Sequence, residues 1–513
     1  MSWNLTKKEV WLLVAIFILG LLLRLYPGRD HFLWIYDQAR DAYRSRAVLV
    51  EKDLRILGPQ TDYPGLSHGP INYYFYAPFY FLSKGDPNLP GLATIVFNLL
   101  GIIPLALLTQ KLFDNKRLTL LSAFFYAISY ELVEYSRWIF NLSLSIPLLI
   151  WSYLFLWQIL TEKKNAFWAG LFLGLAIQGE LYLLYLIPFF YGFLYAYKSK
   201  LQSWLKLHGG LILGVAPLIL AEFKFNFTGT KIFITQFLAS HVESIPADTA
   251  ILRYINHMGA TNKHVLGGLS YPMGLMIFIL LVGFVLIKFN KFNLKIKRST
   301  SFILILLFSH SILFTFHAPN KVFMNLPVSV PLIILAVFVI DYLWRQKQTA
   351  LAWLMISFVV FFSSYQLYIN TKNKTPFEGF NFIQTGMLFS QKLEIIDRMY
   401  ELTHDEPFSL AVLGTPYGVQ TVWASVFEQY SARRSVELPT WFGFRALGYP
   451  ADQYFTKVDA PRSHHILLIE SNQELISPYI RQQFMDQQNE ATTLIKQIEF
   501  YGYIIELRES KIH

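Results

Sequence analysis

Trp34-Ile35-Tyr36-Asp37-Gln38-Ala39-Arg40-Asp41-Ala42-Tyr43-Arg44 sets two acids and two bases just beyond the first apolar run of the chain, 10–26. That run is close to the roughly 20 residues a helix needs to cross a bilayer, so the charged stretch begins at a membrane surface. Asp37 and Asp41 are four apart, as are Arg40 and Arg44, and on a helix each pair shares a face. A helix over 39–50 places Asp37 at or near its N-terminus, where negative charge is stabilised. An ionised carboxylate there is a competent proton acceptor. The same spacing also describes a capped surface helix with a ladder of ion pairs, worth about 0.2–0.5 kcal/mol per pair. Spacing alone leaves both readings open.

The rest of the chain supplies the context. Of its 513 residues 54% are hydrophobic and 15% charged, against roughly 25% charged in soluble domains. With apolar runs of bilayer length, this reads as a polytopic membrane protein. The net charge of +10 does not point to nucleic acid. The basic residues lie in short clusters between apolar runs, the pattern of cytoplasmic loops. The chain has no cysteine, which excludes a disulfide framework, thiolate metal sites and a cysteine nucleophile. Lys7 and Lys8 before an apolar run resemble a signal peptide, but no small-x-small cleavage site follows. The run is expected to be an uncleaved first span.

About eleven spans are expected: 10–26, 88–110, 118–133, 144–160, two short ones within 166–197 interrupted at Gln178-Gly179-Glu180, then 207–221, 268–287, 301–316, 322–341 and 350–369. This count puts the basic clusters on one side, the N-terminus in the cytoplasm, and the loops 27–87 and 222–267 outside. From about residue 371 the apolar runs shorten to strand length, at 408–413, 464–469 and 503–507, with helix-like segments at 393–402 and 475–487. The expected fold is therefore mainly α: a membrane helix bundle over 1–370 with a large first external loop, then a small extracytoplasmic α/β domain over 371–513. The tail has no phosphate-binding glycine loop and no metal-ligand spacing. His464 and His465 are adjacent, and adjacent strand residues point to opposite faces. No internal repeat is visible, which weighs against an inverted-repeat transporter.

Further charged or polar candidates stand at membrane depth or in the external loops. The Gly- and Pro-rich segment 58–70 holds Asp62 and His68, followed by Ile71-Asn72-Tyr73-Tyr74. Arg137, Glu180, Glu222 and Lys224 lie near span ends, and His317 and Lys321 form a short cationic turn suited to a phosphate. A charge at a helix centre in the bilayer costs about 2.5–3.5 kcal/mol on insertion scales, so near the surface these side chains can also simply snorkel.

In this order the segments resemble the C-type polytopic glycosyltransferases, above all the protein O-mannosyltransferase-like branch (glycosyltransferase family 39) and the lipid A aminoarabinose transferases. The first-loop motif of that family, often Asp-Glu-Ala-Arg, reads Asp37-Gln38-Ala39-Arg40 here, with Gln38 in place of the second acid and Asp41 the nearest substitute. Gly69-Pro70-Ile71-Asn72-Tyr73-Tyr74 is similar to the family's Gly-Pro-Leu-Tyr-Tyr segment, and His68 stands where the family often has Lys. Ser136-Arg137 and the stretch 321–331 also fit; the resemblance covers roughly 10–345.

The resemblance implies an inverting transfer of a hexosyl or pentosyl group from a polyprenyl-phosphate donor to an extracytoplasmic acceptor, whether lipid, glycan or protein. Asp37 would be the base and Arg40, Arg137 and Lys321 the phosphate contacts, with Asp41, Asp62, His68, Tyr73, Glu180 and His317 as further substrate contacts. The resemblance fixes no cofactor, and a divalent metal (Mg or Mn) between Asp37 and Asp41 stays open. The expected site is a bacterial-type plasma or inner membrane. A transporter or flippase of a polyprenyl-linked glycan is the alternative; it would line a midplane route with charge, whereas these charges gather at the outer surface.

Overall fold

Apolar runs of bilayer length are helical in the computed structural model, which describes residues 6–238, 247–316, 321–375, 377 and 386–511. Among the described residues six helices are long and apolar enough to cross a membrane: Asn88–Phe113, Asn141–Glu162, Tyr271–Lys291, Leu294–Phe314, Val322–Arg345 and Thr349–Asn373. The pair Leu201–Gly214 and Ala216–Lys224, bent by 63°, makes a seventh if it is one span. The expected count of about eleven exceeds this. Four of the expected spans fall on helices that length and apolarity alone do not qualify. Lys7–Leu25 carries charge at both ends, 118–133 is broken at Ser129, and Ala166–Gly179 and Leu181–Ala196 are short. The loop 222–267 holds a 20-residue helix, Ala247–Leu266.

Small residues set the tightest helix crossing. Gly170 and Gly174 on Ala166–Gly179 face Gly210 and Gly214 on Leu201–Gly214. A Cβ on Gly170 would lie 2.0 Å from the Leu207 carbonyl oxygen, and one on Gly210 would lie 2.0 Å from that of Phe167. Membrane helices associate through this kind of backbone approach, because lipid supplies no hydrophobic drive between them.

The tail contains a six-stranded sheet: β1 (Phe408–Leu413), β2 (Thr440–Phe442), β3 (Lys457–Val458), β4 (His464–Ile469), β5 (Thr492–Phe500) and β6 (Tyr503–Ser510), in the order β3-β2-β1-β4-β6-β5. β1 is parallel to β2 and β4, with Phe408 opposite His464; β6 runs antiparallel to β4 and β5. Helices Phe389–Leu402, Thr421–Arg434 and Pro478–Ala491 accompany it. His465 is buried, its Nδ1 2.8 Å from Ser409 Oγ and its Nε2 2.9 Å from Gln488 Oε1. His464 turns the other way, 3.4 Å from Glu406.

The sheet unit grips the first loop. Leu33 and Leu388 form an antiparallel bridge, and the amides of Trp34 and Phe389 donate to Met387 and Phe32 at 2.8 and 2.9 Å. Trp34, almost fully buried, donates from its indole to Ser425 Oγ at 2.9 Å. Trp34, Ala39, Ala42 and Tyr76 share one buried cluster with Phe389, Trp423 and Phe427.

Candidate active site

The charged stretch becomes the helix Tyr36–Val50, preceded by extended Ile35. Gln38 is fully buried, and its Oε1 accepts from the Ile35 amide at 3.3 Å. It thus supplies part of an N-terminal cap, and a second acid in its place would be fully buried. Asp37 occupies the first turn, with its side chain 42% exposed. Arg40 bridges two carboxylates: Nη1 lies 2.8 Å from Asp37 Oδ1 and Nε 2.8 Å from Asp41 Oδ1. Asn72 donates to the other Asp41 oxygen at 2.9 Å. Burial pushes the Asp41 carboxyl up to about 6, against the pull of Arg40. Burial also works against the Arg40 charge, but Asp41 and Asp37 hold it above its ordinary value.

Asp37 opens into a cavity of about 610 Å³ that Asp62, His68, Glu180 and Lys321 also line. The cavity is otherwise aromatic and aliphatic. Trp138 and Phe140 stack at 4.6 Å, with Phe323 edge-on to Trp138 at 6.3 Å. The far wall is a small hairpin in which Gln60 pairs with Ser67 and the Thr61 amide donates to Leu66 at 2.9 Å. Gly65, at φ 87°, makes its turn. Gly69 joins the hairpin to the bundle: its amide donates to the Gln178 carbonyl at 2.7 Å, and Gln178 Nε2 donates to Gly214 O at 2.5 Å. The expected interruption at 178–180 is real, since the helix ends at Gly179 and Glu180 is extended. Asn141 donates to the Gly179 carbonyl and, at 3.1 Å, to Glu180 Oε1.

Lys321 pairs with Asp62 and sits 5.7 Å over the Phe323 ring. Burial drives the His68 imidazole down to about 4, with Arg40 adding to the effect. His68 is therefore neutral at physiological pH and does not replace a lysine's charge. Its Nδ1 is buried without a hydrogen-bond partner among the described residues, a polar atom at this wall that a ligand could meet.

Five of the sequence candidates thus meet at one cavity, and others do not. Arg137 is buried away from it: Nη2 and Nε donate to the carbonyls of Leu23 and Arg24 at 2.6 and 3.2 Å, and Nη1 pairs with Glu134 at 2.6 Å. It closes the end of the helix Lys7–Leu25 and does not line the cavity. Tyr73 is buried with Val48 and Ala77, and Asp41 lies behind Arg40; neither lines the cavity. Glu222 accepts from the Thr230 amide at 3.0 Å. His317 lies outside the described residues. Asn72 and Asn141 carried no assigned role in the sequence; each orients a carboxylate. Among the described residues no three His, Asp or Glu side chains converge as metal ligands would. Between Asp37 and Asp41 stands the Arg40 guanidinium.

Helical bundle, acid-bearing first loop and outlying α/β sheet define an integral membrane protein with the fold of the polytopic glycosyltransferases, the family the motifs resemble. Residues 67–222 match the family model described as dolichyl-phosphate-mannose-protein mannosyltransferase. Among solved structures, ArnT from Cupriavidus metallidurans bound to undecaprenyl phosphate superposes with a TM-score of 0.56 at 11% identity, over 98% of both chains. Its apo form gives 0.54 at the same identity and coverage. No curated protein matches the chain in sequence.

Proposed function

We propose that the protein transfers one sugar from a polyprenyl-phosphate donor to a hydroxyl of an extracytoplasmic acceptor, with inversion and with Asp37 as base. The observation that carries this is a half-exposed carboxylate, oriented by a bridging arginine, opening into an aromatic cavity that also presents a lysine. Asp37 takes the acceptor proton as the oxygen attacks the anomeric carbon. The bond from that carbon to the phosphate oxygen breaks, its electron pair stays on the phosphate, and Lys321 leaves Asp62 to meet the new charge. Arg40 holds Asp37 in place. A divalent ion would have to displace Arg40 from between the two carboxylates, so the cation demand falls on Lys321. The match to the mannosyltransferase model and the undecaprenyl phosphate held by ArnT support a lipid-phosphate donor.

The test is Asp37→Asn, which preserves shape and removes the proton acceptor. Sugar transfer should fall about 100-fold or more, read by mass spectrometry of membrane glycolipids and glycoproteins, with the variant inserting and purifying as the parent does. Transfer at the parental rate would exclude Asp37 as the base. Transfer lost from the parent under all donors, with a lipid-linked glycan still moved across vesicles, would favour a flippase. Chelation with EDTA should leave the rate unchanged.

A further inference from the structure

The helix Asn141–Glu162 touches the candidate active site at its first residue. Its 22 residues span about 33 Å and end beside a second cavity, about 780 Å³, at the opposite end of the bundle. Three lysines from three separate elements line it. Lys111 closes the helix Ile102–Phe113, Lys164 lies in the link before Ala166–Gly179, and Lys295 begins Leu294–Ser309. Their carboxylate partners are Glu162, paired with both Lys111 and Lys164, and Asp114, 3.8 Å from Lys295. One positive charge is left over. The adjoining depression adds Lys116, Arg117 and Arg345 to the same rim, where Asp341 pairs with both arginines at 3.6 and 2.7 Å and Glu9 pairs with Lys116 at 3.0 Å.

The interior of this cavity is aromatic. Trp151, Phe155 and Phe172 form a cluster with centroids 5.4, 6.0 and 5.6 Å apart. Trp168 stands beside Phe172 and is 46% exposed, as tryptophans at membrane interfaces are. The helix Ala166–Gly179 begins at this cavity without a side-chain cap, because Asn165, at φ 66°, turns its amide to Gln158 instead.

A cationic rim over an aromatic floor fits one chemistry: a phosphate carried on an apolar tail. We infer that this cavity holds an anionic glycerophospholipid, its phosphate at Lys111, Lys164 and Lys295 and an acyl chain along Trp151, Phe155 and Phe172. A zwitterionic lipid brings its own cation to the rim. A free phosphate makes no use of the rings. This site is separate from the Asp37 cavity and does not depend on the reaction assigned there.

The full chain is purified in detergent, given phosphatidylglycerol or phosphatidylcholine, and read by native mass spectrometry. Phosphatidylglycerol should be retained about tenfold better or more. The triple variant Lys111→Gln/Lys164→Gln/Lys295→Gln should lose that preference. Lys198→Gln/Lys200→Gln/Lys206→Gln, which removes as many exposed lysines elsewhere, should keep it. Lys295→Gln alone, at an exposed rim position, should weaken retention by roughly threefold and covers the case in which the triple variant does not fold. Equal retention of both lipids by the parent, or a preference undiminished in both rim variants, would overturn the assignment. So would millimolar inorganic phosphate displacing a fluorescent phosphatidylglycerol as well as the unlabelled lipid does.

Discussion

Arg40 holds two carboxylates of unequal exposure, and that inequality divides their roles. Asp37 meets the cavity; Asp41 is nearly sealed and bonded to Asn72. A planar guanidinium spans both acids, whereas an ammonium is a point charge. Arg40→Lys should therefore lower kcat by about tenfold, the worth of one charge-assisted hydrogen bond of roughly 1.5 kcal/mol, with KM little changed. Steady-state kinetics on a synthetic polyprenyl-phosphate sugar checks this. His68 gives a pH prediction. Its folded value near 4 lies below the unfolded 6.5, so the unfolded chain binds the extra proton between them. The stability His68 contributes is present above pH 6.5 and lost as pH falls towards 4. Thermal unfolding followed from pH 7 to 4 should show a shallower loss in His68→Gln than in the parent; an unchanged slope would refute a buried neutral imidazole. The sequence showed Asp37 and Arg40 on neighbouring turns. It could not show that Arg137 bonds the backbone carbonyls of Leu23 and Arg24, because those partners lie on a helix more than a hundred residues away.

At the scale of elements, the helix Tyr36–Val50 is held from behind by the helix Thr421–Arg434. Glu428 accepts from Arg46 at 2.6 Å and from Tyr43 at 3.2 Å. Arg433 meets Asp30 through two bonds of 2.8 and 2.9 Å and also reaches Asp86 at 2.9 Å. The tail is thus a splint for the first loop. Arg433→Ala should lower kcat severalfold while the isolated strands' protection in hydrogen exchange persists; full activity would show that the loop orders itself. None of these pairs was visible in the sequence, where the partners stand some four hundred residues apart. β1 and β4 were legible as short continuous apolar runs. β2, β3 and β5 were not, being two or three residues long or, for β5, largely exposed. The spaced glycines 170 and 174 against 210 and 214 are a signal of close helix packing that is present in the sequence. Gly210→Val puts a branched side chain where even a Cβ lies 2.0 Å from Phe167 O. It should part the two helices and cut the yield of folded protein, measured by size-exclusion chromatography in detergent.

For the whole molecule, the sidedness of the tail does not depend on how many spans are counted. The sheet unit and the first loop share a β-bridge, a buried cluster and the pairs of Arg433 and Glu428, so the tail and the Asp37 cavity occupy the same face. The helix Asn141–Glu162 starts at that cavity and runs the full thickness of a bilayer core, about 30 Å, so Lys163 at its end occupies the other. By the positive-inside bias the basic clusters at Lys163 and Lys347 would make that second face cytoplasmic, and the proposed lipid-borne donor requires the cavity and tail to lie on the other. The chain has no cysteine, so single cysteines can be introduced without background. Tyr479 is 76% exposed on the tail, and Lys163 and Lys347 are exposed at the other face. In intact cells with a permeable outer layer, a membrane-impermeant maleimide should label Tyr479→Cys and leave Lys163→Cys and Lys347→Cys unlabelled until the membrane is opened. The reverse pattern would put the cavity in the cytoplasm, within reach of soluble nucleotide sugars, and would remove the reason for a lipid-phosphate donor.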